Sequence, residues 1–429
     1  MDSRSRQEIL FTARFQTTAI KPIHHHHHTN PCDFTARSLF TRKFSNNNLT
    51  TSNSRKYARG AGILIALLVT FLFCLSSAWG QSGDFTRTVH ETFAADVHSH
   101  EIDALLSNYF RLGEPGASVI ISQHGSILFR KAYGLANIDT KMSLRPELPL
   151  RVGSVTKQFT AAGIMLLAEQ GKLSVTEKIE KYFPQYSEHS SQVTIENLLT
   201  HTSGIRNFTE LPQFGSLMTK DTSVDDVLAF FMDAPLQFQP GQRFSYSNSN
   251  YFLLGVIIEI VTGMSYPDFM QQQIFKPLQM VSTEIEKAPS QLVAVIGYTQ
   301  SRNGVASAPY YSMSWPFAAG ALRTSVDDLV RWDSAITNET LLRRESWDLM
   351  GKDHAVIDGS HTGYGFGWFI RELAGSNALG HGGDIGGFSA ATLRLPKDEL
   401  FVAVLANSDF HEPAPDTIAE KITKIILRQ

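Results

Sequence analysis

A chain of 429 residues, 42% of them hydrophobic and with a formal charge of −3, is long enough to bury a sizeable core and has the composition of a globular protein. The small net charge hides an asymmetry: residues 1–60 carry ten Lys/Arg against three Asp/Glu, so the remainder is acidic and offers no basic face to nucleic acid. Both cysteines, Cys32 and Cys74, fall before residue 81, which excludes cysteine-based catalysis and disulfide stapling downstream.

Residues 1–60 read as a low-complexity basic leader, with His24–His28 as an incidental run or a tag-like scar. Residues 61–80 read as a signal peptide or membrane anchor. Within them 62–79 is the only long uncharged apolar run; Arg55, Lys56 and Arg59 precede it, and Ala78-Trp79-Gly80 supplies a small-x-small cleavage site before Gln81. The basic flank stays in the cytoplasm either way, so everything from residue 81 is expected to be exported: periplasmic, secreted or membrane-anchored facing outward. A signal usually opens a chain, so the sixty residues before this one are expected to be a disordered leader or to reflect a later translation start or an artefact of gene prediction. An organellar address is the alternative for an Arg/Ser-rich, acid-poor leader.

His98-Ser99-His100-Glu101 has the form of a metal-binding HxH, but it precedes the first helix in a polar stretch without the buried strand end such a site needs, so a solvated segment is expected. Ile102, Leu105, Leu106, Tyr109 and Phe110 recur at helical spacing and predict an amphipathic helix. Ala117 to Ser122 and Ser126 to Tyr133 predict strands joined at the hairpin signal His124-Gly125.

Ser154-Val155-Thr156-Lys157 stands at the mouth of the next helix, whose residues Ala161 to Ala168 are almost wholly apolar and which Gly171 stops. Residues three apart on a helix share a face, so the Ser154 hydroxyl and the Lys157 amine come within hydrogen-bonding reach. The free N–H groups of the first turn favour negative charge there, as an acyl-transfer oxyanion requires, and a desolvated lysine loses proton affinity and becomes a usable base. Alone, the pattern also fits a capping serine followed by a solvated lysine. Phe244 to Asn250 is an uncharged polar stretch before an apolar helix expected from Leu253 to Thr262. Tyr246 and Asn248, two apart in an extended segment, point to one side and can enter one cleft, the phenol as proton relay and the amide as orienting group. A Ser/Asn-rich turn that caps the following helix is the other reading.

From Ser154 to about Ser312 helices and loops dominate. Strands are then expected near Tyr364 to Arg371, Phe388 to Leu395 and Leu400 to Ala406, and a final helix from about Pro415 to Leu427. Before Phe388 lies Leu379-Gly380-His381-Gly382-Gly383-Asp384, where glycines in a strand pattern signal close approach to the backbone, here a substrate along a sheet edge with His381 beside it; a glycine-rich bulge with a surface histidine is the alternative. The fold class is α/β in the α+β sense: an antiparallel sheet flanked by N- and C-terminal helices, with an inserted all-helical region. The α/β part covers about 96–153 and 315–429, the helical part about 154–314, and the cleft between them is the expected active site.

In this order, Ser154-x-x-Lys157, Tyr246-x-Asn248 and His381-x-Gly383 resemble the three motifs of the penicillin-recognising serine hydrolases, most of all class C β-lactamases and their D-alanyl-D-alanine carboxypeptidase, esterase and D-aminopeptidase relatives. Leu198 to Gly204, Ala319 to Leu322 and Tyr133 to Asn137 look similar too, and the resemblance runs from about Asp96 to the carboxyl end. It implies a β-lactamase/transpeptidase-like fold and a serine hydrolase that forms an acyl-enzyme on Ser154, with Lys157 and Tyr246 sharing proton transfer. It implies substrate binding by Asn248, His381, Gly383 and Asp384, and oxyanion donors at the backbone N–H groups of Ser154 and Asp384. The substrate is a small-molecule or peptide acyl compound, with no cofactor and no metal. His381 stands where the best-known β-lactamases have lysine, which favours esterase or peptidase relatives over a dedicated antibiotic hydrolase. The carboxylate of Asp384 either turns away or repels anionic substrates. A silent peptidoglycan- or peptide-binding scaffold is the rival reading, and the loops Asn207 to Thr222 and Ser301 to Ser314 are expected to shape the acyl pocket.

Overall fold

The computed structural model describes residues 98–287 and 295–428. The basic leader, His24–His28, the apolar run 62–79 with its Ala78-Trp79-Gly80 site, and both cysteines lie outside the described residues.

Six antiparallel strands form the main sheet: β1 Ala117–Gln123, β2 Ser126–Tyr133, β3 Phe369–Leu373, β4 Ser376–Ile385, β5 Phe388–Leu395 and β6 Leu400–Ala406, in the order β3-β4-β5-β6-β1-β2. The early hairpin thus joins the late strands through β1 and β6, paired from Ala117↔Ala406 to Gln123↔Leu400. All seven residues of β6, Leu-Phe-Val-Ala-Val-Leu-Ala, are buried, as a central strand covered on both faces requires. Alternate residues of β1 serve different cores. Val119 and Ile121 pack with α1, residues 98–109, and with the C-terminal helix Pro415–Ile426, while Ile120 belongs to the larger core of the opposite face.

That larger core holds α2, Thr156–Glu169, and α3, Asn248–Thr262. Both are buried nearly all round, so neither shows the amphipathic stripe of a surface helix. α2 is tied to the sheet by Gln158. Its Nε2 donates to Thr392 Oγ1 of β5 at 3.1 Å, and its Oε1 accepts from the indole nitrogens of Trp332 at 2.8 Å and Trp368 at 3.2 Å. Gln158→Leu strands two buried indole N–H groups, each costing about 1–3 kcal/mol. The variant is expected to lose about 2–5 kcal/mol of unfolding free energy, read from the urea midpoint at unchanged slope. A loss below about 1 kcal/mol would show that the indoles find other partners.

Four sequence expectations change. His98 and His100 lie in the first turn of α1 and not before it. Residues two apart on a helix diverge by about 200°, so the two imidazoles do not share a face. α3 starts at Asn248 and not Leu253, because Ser249 and Asn250 are buried and hydrogen-bonded inside the helix and only look like loop residues in the sequence. The strand expected from Tyr364 is confined to Phe369–Leu373: Gly363 and Gly367 have φ of +65° and +83°, and a Cβ on Gly367 would lie 2.7 Å from Gln158 Cα. The stretch expected to be helices and loops also carries a hairpin, Tyr298–Ser301 with Gly304–Ser307.

Candidate active site

Gly153–Val155 form a 3-10 turn that runs directly into α2, which sets Ser154 one turn ahead of Lys157. The turn is pinned on both sides: Thr156 Oγ1 donates to Gly153 O at 2.6 Å and accepts from the backbone N–H of Leu322 at 3.1 Å. Lys157 Nζ lies 2.9 Å from Ser154 Oγ, 2.8 Å from Asn248 Oδ1 and 2.8 Å from Ala319 O. The side chain is fully buried and no carboxylate among the described residues touches it, so desolvation holds its pKa well below the ordinary lysine value. A neutral amine has two N–H bonds and one lone pair. The oxygens of Asn248 and Ala319 can only accept, so they take the two protons, and the lone pair is left facing the Ser154 hydroxyl.

Tyr246 comes from the loop before α3 and Asn248 is the first residue of that helix, yet both reach Lys157. The Tyr246 ring centroid is 4.9 Å from Nζ. Burial raises the phenol pKa, a hydrogen bond with Ser154 works the other way, and the balance keeps the hydroxyl protonated at neutral pH. Behind Tyr246 lies His201, ring centroids 4.3 Å apart, itself packed against Tyr251 at 5.1 Å and Tyr364 at 4.8 Å. Ser203 Oγ donates to Asn250 Oδ1 at 2.7 Å, which turns the Asn250 amide nitrogen toward His201 Nδ1 at 3.1 Å; the Ser247 N–H points there too, at 3.2 Å. With Nδ1 accepting twice, the proton sits on Nε2 and the ring is neutral, in line with the strong lowering of its pKa by burial and by Lys157.

The pairing of β4 with β3 ends at Gly380, so residues 381–385 form an open edge on that side. Their backbone closes on the nucleophile turn. A Cβ on Gly383 would lie 2.1 Å from Val152 O and 2.5 Å from Ser154 N, and one on Gly153 would lie 2.9 Å from Asp384 N. Only glycine fits either place, and the contact puts the backbone nitrogens of Ser154 and Asp384 on one wall.

His381 stands apart from that wall. The alternation of β4 turns it inward, 4% exposed, with Nδ1 2.6 Å from Gly382 O and Nε2 accepting from Tyr364 Oη at 3.1 Å. Burial, with Lys157 adding to it, drives its pKa down to about 3, so it is a neutral group behind Tyr246 and not a cation beside the substrate.

The cleft in front of Ser154 has a volume of about 260 Å³; Ser154, Asn248 and Asp384 line it, and the two expected loops contribute Phe208, Thr209 and Tyr311. Asp384 is exposed at its rim with a carboxyl raised by partial burial and lowered by the Ser389 hydroxyl; Asp409, raised by the same cause, lines the cleft as well. The structure therefore brings Ser154, Lys157, Tyr246 and Asn248 into one cluster with Gly383 and the Asp384 backbone at its edge, and sets His381 behind it. Among the described residues no group of three or more His, Cys, Asp or Glu could hold a metal ion. His201, Tyr364 and the Ala319 carbonyl are parts of the cluster that the motif spacing did not single out; only the presence of Leu198 to Gly204 and Ala319 to Leu322 among the supporting stretches hinted at two of them.

A family model described as Beta-lactamase matches residues 100–424. Protein flp of Staphylococcus aureus (strain COL) is 29% identical over 338 residues, which cover 76% of this chain and 66% of that protein, so the chain spans just under two thirds of that relative. The octameric penicillin-binding protein homologue from Pyrococcus abyssi is similar in structure, with a TM-score of 0.63 and 27% identity, over 79% of this chain and 76% of that one. The D-stereospecific amidohydrolase from Streptomyces sp. gives a TM-score of 0.62 at 25% identity, over 77% of this chain and 98% of that one.

Proposed function

This chain belongs to the beta-lactamase family, and from that premise we propose that it is a serine hydrolase that cleaves an amide, ester or lactam bond through an acyl-enzyme on Ser154. The observation that carries this reading is the buried Lys157 Nζ, 2.8 Å from the acceptors Asn248 Oδ1 and Ala319 O and 2.9 Å from Ser154 Oγ, a setting in which the neutral amine turns its lone pair to the hydroxyl. Lys157 takes the hydroxyl proton as Ser154 attacks the carbonyl carbon, and the N–H groups of Ser154 and Asp384 receive the developing oxyanion. Tyr246, held as a phenol, gives its proton to the leaving group and regains one from the Lys157 ammonium. Water then releases the acyl group by the reverse relay. Asn248 holds both the lysine and the substrate, and Gly383 lets β4 approach the nucleophile. His381 positions Tyr246 through the ring cluster and touches no substrate.

A fluorophosphonate probe on the full chain, followed by peptide mass mapping, tests the reading: the expected adduct is on Ser154. An unlabelled chain that still binds peptidoglycan fragments would instead make the cleft a silent scaffold. Likeness to a D-stereospecific amidohydrolase supports D-amino-acid amides as the first substrates to assay, beside nitrocefin and short aryl esters. Tyr246→Phe keeps the ring and removes the relay, so turnover is expected to fall about 10²–10⁴-fold with a persistent Ser154 adduct in intact-mass spectra. Wild-type turnover in that variant would leave both proton transfers to Lys157.

We place the protein outside the cytoplasm, with 62–79 as signal or anchor; a phosphatase reporter that is active only after export, fused behind residue 95, should be active, and inactivity of the fusion removes the placement.

A further inference from the structure

A second cavity, of about 170 Å³, lies beyond Gly386 from the catalytic cleft. Arg151 and Arg323 are directly paired across neighbouring strands and both line it. Like charges so placed repel, and each needs compensation. Arg151 has it: the buried Glu286 carboxylate takes its Nε at 2.9 Å and Nη2 at 2.6 Å. Arg323 does not. Its residue is 6% exposed, its Nη1 makes no hydrogen bond, and Glu284 Oε1, 3.7 Å away on a half-exposed side chain, is beyond hydrogen-bonding reach. The remaining wall includes the apolar Pro149, Val295 and Phe388. A buried guanidinium carries its desolvation cost until an acceptor arrives, and its planar fork matches a carboxylate.

We propose that this cavity is a recognition site for a carboxylate at the far end of the acyl substrate, held by Arg323. Gly386 is the sill between the two spaces. A Cβ there would stand 3.3 Å from Arg151 Nη1 on one side and 3.3 Å from the Cβ of Tyr311, a cleft-lining residue, on the other. Charge sorts the ligand along this path. Asp384 and Asp409 line the cleft but not the second cavity, where Glu286 is matched by Arg151 and Arg323 adds a further positive charge, so a carboxylate is disfavoured next to Ser154 and favoured beyond Gly386. The matching substrate is therefore a chain with its scissile carbonyl at one end and its acid at the other.

The turnover consequence rests on the hydrolase reading; the binding does not, and the two are measured apart. With the full chain, an aryl monoester of adipic acid is compared with the same ester capped as a terminal carboxamide. The expected result is a kcat/KM preference of about tenfold or more for the free acid, abolished in Arg323→Met. Equal values for the two esters, or a preference that survives the substitution, overturns the proposal. Independently, the monoamide of adipic acid, whose uncharged end lies toward residue 154, is titrated into the Ser154→Ala chain by calorimetry. Binding is expected there, lost with Arg323→Met and strengthened by Glu284→Gln, a half-exposed change that removes the carboxylate competing for Arg323 without opening the core. Absent binding, or affinity unmoved by Glu284→Gln, refutes the site even where Arg323→Met fails to fold. If neither ester is cleaved, the hydrolase reading fails, and calorimetry alone decides the cavity.

Discussion

Ser154→Ala is expected to abolish turnover and fluorophosphonate labelling while leaving the thermal unfolding midpoint within a few degrees of wild type. The hydroxyl is half-buried at the cleft and fills no core volume, and its polar partners within the cluster are Lys157 Nζ and the Tyr246 phenol. Loss of a serine nucleophile that acts as a unit with its base costs on the order of a millionfold in kcat, because no other group can form the acyl intermediate. The oxyanion donors and the cleft survive the substitution, so substrate binding should persist with a similar dissociation constant. Hydrolysis above about a thousandth of the wild-type rate, well beyond the residue left by binding and oxyanion stabilisation alone, would move the nucleophile elsewhere.

How far the sequence reached depends on what kind of signal each part leaves. The Ser154-x-x-Lys157 contact follows from helix spacing alone, and the structure returns it at 2.9 Å. The central strands β1 and β6 and the C-terminal helix are legible because apolar runs and a 3.6-residue stripe dictate them. The sequence pattern predicts an extended segment at Asn248, where period-two alternation would bring it beside Tyr246; it is instead the first residue of α3, and the two meet Lys157 through different elements. No local pattern distinguishes these arrangements, since Ser249 and Asn250 gain their helical place only from buried long-range hydrogen bonds to the 203–208 loop. The inward turn of His381 is set by the register of β4, and a shift of one residue would have faced it outward, so its identity as a histidine carries no information about which side it takes. The ring cluster of His201, Tyr246, Tyr251 and Tyr364 joins four separate stretches of chain, and Arg323 looks in the sequence like any surface arginine. Both are products of tertiary packing and have no period to be read.

Lys157→Met is the second large loss, and it separates a base from a merely structural lysine. Methionine has nearly the same length and no proton to move, so acylation is expected to slow about 10²–10⁴-fold, with Asn248 Oδ1 and Ala319 O left without their donor. In wild type, acylation should fall as the pH drops through the depressed pKa of Lys157, because protonation removes the lone pair that Ser154 needs; the Met variant should lose that limb of the profile. Stability gives a second readout with a definite sign. The unfolded lysine keeps its ordinary pKa near 10.5, while the folded one titrates far lower. Between those two values the unfolded state binds one proton more, so the Lys157 contribution to stability rises with pH by up to about 1.4 kcal/mol per unit. It flattens above the unfolded value and is absent below the folded one. The free energy of unfolding of wild type minus that of Lys157→Met should therefore climb steadily from neutral pH toward 10, every other titrating group cancelling in the difference. A difference that stays flat over that range would mean that Lys157 is charged in the folded protein; the lone pair facing Ser154 would not exist, and the base would have to be sought at another residue.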